Sequence, residues 1–272
     1  MSEMLRLMRV PNLLIAAGGV VAGGWIALQR FALPGALVWA ALSGIGLGAA
    51  GNALNDVLDL RADRQNRPDR PLPAGRLGGR AAIVGAVAGA LVGIGAAALV
   101  SARLLLVAAA ALAVMVAYSP WLKRWGAPGN IAVALVAGLP LFYGALAVGR
   151  PAAGVVPWAL AAWIHLIREI VKDIEDEPGD RAAGRRTLPI AWGRRRAAFT
   201  AAALALGFVP LSLALPLEEG YGAAYWVVAM PAQLAVVAAA VHLVLDRIER
   251  VSRLLKGVMV VGLAALVAGR TL

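Results

Sequence analysis

From about residue 12 to the C-terminal end, long apolar stretches follow one another with only short polar breaks. Nine of them, at about 12–29, 36–59, 81–100, 104–119, 129–149, 155–175, 197–217, 222–245 and 254–270, approach the length needed to cross a bilayer, for which roughly 20 apolar residues suffice. Backbone N–H and C=O groups find no water in hydrocarbon, so such a chain must fold as helices or as a closed barrel. A barrel needs alternating hydrophobicity, which is absent here. Composition agrees: 61% of the 272 residues are hydrophobic and 15% charged, where a soluble domain has about a quarter charged. The fold class expected is all-α, a polytopic nine-transmembrane-helix bundle forming one domain over residues 1–272.

The formal charge of +11 raises the possibility of a nucleic-acid partner, but its placement points elsewhere. With the N-terminus in the cytoplasm, 22 of the 26 basic residues fall on the cytoplasmic side and only Arg30, Arg103, Arg150 and Arg270 on the other. That asymmetry is the positive-inside rule. It predicts a multi-pass protein of the cell membrane with a cytoplasmic N-terminus, an external C-terminus and no nucleic-acid partner. Cysteine is absent, which excludes disulfides, thiolate metal sites and cysteine nucleophiles. "MSEMLRLMRVPNLL" lacks the small-residue cleavage pattern of a signal peptide. The "GLGAAG" string at residues 46–51 fits G-x-G-x-x-G. Inside an apolar span it reads as helix packing, since a dinucleotide fingerprint requires a strand before it.

Two acidic clusters interrupt this pattern. Asp56, Asp59 and Asp63 close the second span; Asp173, Asp176 and Asp180 close the sixth, each 117 residues beyond its counterpart, and a Leu-Pro pair follows both sets. The echo suggests two four-helix halves, about 36–149 and 155–270, with helix one added. At 3.6 residues per turn the first three aspartates share an arc of about 60°. His165, Glu169, Asp173 and Asp176 span about 80° of another helix, and Pro178 is expected to end that helix before Asp180. A single carboxylate at a helix end is most simply solvated or paired with a neighbouring arginine. Two matched clusters ask for more, because each opposes the helix dipole and crowds like charges together. A hard divalent cation such as Mg²⁺ relieves both penalties, and it binds through carboxylates together with substrate phosphates.

Arginine forks match phosphate oxygens, and cations surround the clusters. Arg61 lies within the first, Arg64, Arg67 and Arg70 follow it, Arg168 and Lys172 precede the second, and Tyr118, Lys123 and Arg124 close the fourth span on the same side. For any one of these residues, positive-inside topology is an equally good explanation. Magnesium diphosphate at a membrane surface, beside an apolar bundle, implies an amphiphilic substrate such as an isoprenyl diphosphate. The metal would stabilise the leaving pyrophosphate, and the bundle would keep water from the allylic cation. A transporter is the rival of another class, but transporters place their sites near the bilayer midplane on broken helices. The phosphotransferases acting on CDP-alcohols also use spaced aspartates, though their glycine-spaced pattern is missing here.

"NDVLDLRAD", "NRPDRPLPAG", "YSPWLKR" and "REIVKDIEDEPGDRAAGRRTLP" together resemble the signatures of the UbiA family of intramembrane prenyltransferases, over nearly the whole chain. The resemblance implies nine helices around a central cavity and Mg²⁺-dependent transfer of an isoprenyl group to an acceptor. By motif match it implies that Asn55, Asp56, Asp59 and Asp63 form one metal–diphosphate site. Asp173, Asp176 and Asp180 would form the second, with Lys123 on phosphate. Arg9 and Asn12, in "RVPN", resemble a cytoplasmic element of the first span. One departure stands out: many members carry arginine directly after the aspartate matching Asp59, whereas here Leu60 intervenes before Arg61. Within the family, the strings look most like the branch that prenylates geranylgeranylglyceryl phosphate with geranylgeranyl diphosphate. A branch with an aromatic acceptor is the alternative.

Overall fold

A computed structural model describes residues 3–118 and 120–272, the side chains of Lys123 and Arg124 excepted. Thirteen α-helices make up the described chain, and no strand occurs among the described residues. The helices are α1 (Glu3–Met8), α2 (Val10–Leu28), α3 (Gly35–Leu58), α4 (Leu60–Asn66), α5 (Gly79–Ala98), α6 (Ala102–Tyr118), α7 (Ala127–Gly138), α8 (Pro140–Ala147), α9 (Val155–Ala182), α10 (Leu188–Trp192), α11 (Arg194–Glu218), α12 (Ala223–Val244) and α13 (Ile248–Thr271). Each expected span has a helical counterpart. Seven helices are long and apolar enough to cross a membrane, and the α7–α8 pair makes eight when taken as one bent span. At 17 residues, α6 is shorter.

Two departures from the expected spans have local causes. The fifth span is broken by 42° between α7 and α8, where Pro140 opens the second segment and can donate no amide to the preceding turn. The sixth runs past Pro178 to Ala182, so the expected helix end at this proline is corrected. Proline leaves the carbonyl four residues back without its usual donor. That carbonyl belongs to Ile174, and Arg194 Nη1 reaches it at 3.3 Å.

Large apolar side chains such as Leu91, Leu106, Leu217, Leu234 and Val260 face outward, each more than half exposed. On a soluble protein so many would be a liability; around a bundle of spans they form the lipid-facing surface. Inside, one apolar cluster joins α9, α11, α12 and α13, and another joins α2, α3, α5, α6 and α8. Small residues set the spacing within the second. A Cβ on Gly46 of α3 would meet the Gly93 amide nitrogen of α5 at 2.5 Å, so this glycine of "GLGAAG" serves close helix packing. Gly48 and Gly51 of the same string line a cavity.

Ion pairs and hydrogen bonds tie the helix ends together on both sides of the bundle. Arg270 of α13 pairs with Glu219 at 2.9 Å on one side. On the other, Arg194 at the start of α11 meets Asp246 at 3.3 Å. The acidic clusters lie on the Arg194 side, since this residue also bonds α9 at Ile174.

Candidate active site

The first cluster sits where α3 gives way to α4. Asp59 is the residue between the two helices, and the Asp59 and Asp63 amides continue helical bonding to the Asn55 and Asp59 carbonyls at 2.7 and 2.9 Å. The three aspartates therefore keep the common face that their spacing predicts. Asp56 is 2% exposed and is paired by Arg9, with Arg70 Nη1 at 3.3 Å. Arg70 also holds Asp63 at 2.6 Å. Burial pushes the Asp63 carboxyl above the ordinary aspartate range; Arg70 opposes the shift, and Asp56 and Asp59 add to it.

Arg9 reaches Asp56 from an unusual backbone. Its φ of 57° and ψ of 55° are left-handed, between α1 and α2, a conformation that non-glycine residues seldom hold without support from their surroundings. That support is visible: Arg9 Nη1 lies 3.5 Å from Asn52 Oδ1, and Asn52 Nδ2 donates to the Met8 carbonyl at 2.9 Å.

The second cluster lies on the last turns of α9. Asp173 is buried and accepts a hydrogen bond of 2.9 Å from Asn130 Nδ2 of α7. Asp176 pairs with Arg67 at 2.9 Å. Asp180, 1% exposed, pairs with Arg185 Nη1 at 2.9 Å, while Arg185 Nη2 pairs with Asp59. One guanidinium thus holds a carboxylate from each cluster. Burial works against the charge on Arg185, but Asp59 and Asp180 outweigh it and raise its pKa. The two acidic faces meet, which is the arrangement required for joint binding of one anionic head group.

A second bridge was not foreseen from the sequence. Asn66 Nδ2 donates to the Asp176 carbonyl at 2.9 Å, and the Gly179 amide donates to Asn66 Oδ1 at 3.0 Å. The carboxamide therefore enters the α9 hydrogen-bond ladder on either side of Pro178. It fits only because residue 179 is glycine, since a Cβ there would collide with the Asn66 side chain. Asn66 at the end of α4 and Arg67 just after it thus fix the first cluster against the second.

Other expected site residues are placed as follows. Asn55 lines the cavity beside the cluster, together with Asn52. Tyr118 is buried within electrostatic reach of Glu169, Asp173, Asp59 and Asp180. Arg168 and Lys172 turn to Glu169, at 3.3 and 3.2 Å, instead of to the aspartates. Arg61, Arg64 and Asn12 are exposed and join no carboxylate among the described residues. The side chains of Lys123 and Arg124 lie outside the described residues. Leu60 follows Asp59 in the chain, and the guanidinium that pairs with Asp59 comes from across the site, from Arg185. Arg185, Asn66 and Asn130 are the residues that sequence reasoning missed. Asn130 had left a signal, as a buried amide inside an apolar span.

Beside the polar cluster a cavity of about 240 Å³ opens between α2, α3, α6, α7 and α8. Asn52 and Asn55 line its polar end, and Gly44, Gly48, Gly51, Ala108, Ala111 and Met115 are among its apolar walls. Tyr143 lines it as well, hydrogen-bonded to Ser43 at 2.8 Å. From Asn55 to Gly44 the cavity follows α3 for about 16 Å.

The profile of the UbiA prenyltransferase family matches residues 16–260. The chain belongs to this family. A digeranylgeranylglyceryl phosphate synthase from Methanopyrus kandleri is 36% identical over 98% of the chain and 99% of its own length. Its counterpart from Halobacterium salinarum is 38% identical over 98% and 96%. Among solved UbiA structures, an apo homologue from Aeropyrum pernix superposes with a TM-score of 0.80 at 25% identity, covering 93% of this chain and 97% of that one. A digeranylgeranylglyceryl phosphate synthase structure gives the same score and identity, covering 99% and 98%. A homologue from Archaeoglobus fulgidus, solved with DMAPP and Mg²⁺, shares the fold at a TM-score of 0.66, 19% identity and coverage of 97% and 99%.

Donor chemistry at the site suits magnesium. All six aspartates are hard oxygen donors, and their charge is at present offset in part by arginine. Among the described residues, no three acidic or histidine side chains converge closely enough to cage a metal by themselves. A metal held through one or two carboxylates plus substrate oxygens needs no such cage.

Proposed function

We propose that this membrane protein transfers a geranylgeranyl group from its diphosphate to the hydroxyl of geranylgeranylglyceryl phosphate. The observation that carries the reading is the single guanidinium of Arg185 gripping Asp59 and Asp180. It brings the two acidic segments to one place, next to an apolar cavity. The name borne by the curated relatives supports the acceptor.

Asp56, Asp59 and Asp63 on one side and Asp173, Asp176 and Asp180 on the other would hold Mg²⁺, which supplies charge neutralisation for the departing pyrophosphate. The isoprenyl tail lies along Gly44, Gly48 and Gly51, and the diphosphate meets Asn55, Arg9, Arg67 and Arg70. Arginines now seated on carboxylates are in reach to turn their forks to phosphate oxygens. Breaking the allylic C–O bond leaves a cation that the apolar wall shields from water. The acceptor hydroxyl oxygen then bonds the allylic carbon, and its proton passes to the pyrophosphate already released. The site faces the cytoplasm, with the N-terminus on the same side and the C-terminus outside.

Purified protein in liposomes, given labelled geranylgeranyl diphosphate and a panel of acceptors, tests this. Geranylgeranylglyceryl phosphate should be prenylated and the reaction lost in Asp59→Ala and Asp176→Ala proteins that still insert. Preference for hydroxybenzoate or homogentisate would replace the acceptor. Full activity in either variant would refute the site.

A further inference from the structure

We infer that the groove between α12 and α13 is a second lipid site, which holds a phosphate-bearing bilayer lipid against Arg250 and Arg253. The groove encloses about 560 Å³, more than the cavity beside the aspartates, and belongs to different helices. It runs along α12 from residue 231 to 242 and along α13 from 250 to 261. That is about 16 Å of helix, roughly half of the ~30 Å hydrocarbon thickness. It is therefore one leaflet deep.

Its chemistry changes along its length as a lipid's does. The inner part is floored by small residues, Ala232 and Ala235 of α12 and Gly257 of α13, which leave room for a single chain between the helices. A Cβ on Gly257 would meet no heavy atom within 4 Å, so close helix packing does not account for this glycine. The outer part ends at the turn between the helices, where Arg250 and Arg253 line the mouth and are exposed. Among the described residues neither guanidinium has a carboxylate within 4.0 Å, although Arg194 and Asp246 pair nearby. His242 lines the same mouth, and its Nδ1 is buried with no hydrogen-bond partner. An apolar slot one leaflet deep, with two guanidiniums at the water's edge that pair with no carboxylate among the described residues, is complementary to a phosphate head with one chain inserted. Topology alone explains basic residues at this end; it does not explain the open slot.

Native mass spectrometry of the full-length protein tests the site, using 1-oleoyl-lysophosphatidic acid and monoolein as paired probes with the same chain. The anionic probe should be retained at least about tenfold more strongly than the neutral one, as expected for charge-assisted hydrogen bonds. The Arg250→Gln/Arg253→Gln protein should lose that preference, and Gly257→Phe should lose the bound chain. Both variants should keep prenyl transfer and their unfolding temperature, because neither touches the aspartate site. Equal retention of the two probes, or undiminished binding in the double variant, would overturn the proposal. So would a groove that takes geranylgeranylglyceryl phosphate alone and passes it to the aspartate site for prenylation, since it would then be an acceptor port.

Discussion

Replacing Asn66 with alanine isolates the link between the two acidic segments. Asn66 contributes no charge, yet its carboxamide makes two of the hydrogen bonds that steady α9 around Pro178. Each bond adds about 1 kcal/mol net, and leaving the buried Gly179 amide unpaired costs about 1–3 kcal/mol more. A local loss on the order of 3 kcal/mol is expected, concentrated on the final turn that carries Asp176 and Asp180. Turnover should fall about 10–100-fold, as it does when reacting groups are misplaced by around an ångström. A double-mutant cycle with Gly179→Ala makes the test specific. In the parent protein the added methyl collides with Asn66, so Gly179→Ala should be severe; with Asn66 already truncated, the methyl has space and the second change should be mild. Thermal unfolding in detergent and prenyl transfer in liposomes should both report a coupling above about 1 kcal/mol, beyond what independent sites show. Additive effects would refute the reasoning, because they would mean that the two residues do not share one contact.

Removing divalent cations with EDTA should stop prenyl transfer and added Mg²⁺ should restore it; metal-independent turnover, followed by radiolabel, would contradict the role given to the aspartates. Arg185→Gln leaves Asp59 and Asp180 facing each other without their shared guanidinium and should cost on the order of 3 kcal/mol. Calorimetric or fluorescence unfolding should show Mg²⁺ raising the Tm of this variant more than that of the parent. Burial raises the folded-state pKa of Asp63, so its ionised form costs stability above that pKa, and the cost disappears as pH falls through it. Acidification should thus remove activity, through loss of the Asp63–Arg70 pair, while protonation of this residue favours the folded state; activity and unfolding curves measured on one pH series should separate. Epitope tags should be accessible from the cytoplasm at the N-terminus and from outside at the C-terminus.

Legibility from sequence tracked the range of the interaction concerned. Helices were legible because an apolar run long enough to span a bilayer can do little else, and the aspartates were legible because charge at such a place is costly. Their common face followed from spacing alone. The extension of α9 beyond Pro178 was not legible: the local signal says stop, and the donors that override it, Asn66 and Arg194, come from 112 residues before and 16 residues after the proline. The α7–α8 bend was masked in the opposite way, since Pro140 lies in a run whose hydropathy never drops. Arg185 was hidden among arginines that topology already explained, and only its reach to Asp59 sets it apart. Asn66 was hidden in "NRPDRP", where the charged neighbours draw the eye.

The arginines on Asp56, Asp59, Asp63, Asp176 and Asp180 also bear on the other half of the catalytic cycle. A pocket of bare carboxylates would cling to magnesium pyrophosphate as firmly as to the starting diphosphate, and product would inhibit it. Here the guanidiniums seated on these carboxylates would stay within reach to re-pair them once a bound cation left. If the aspartates hold Mg²⁺ as proposed, binding and release would be an exchange of counterions at nearly constant local charge, which would keep turnover from stalling on its own by-product.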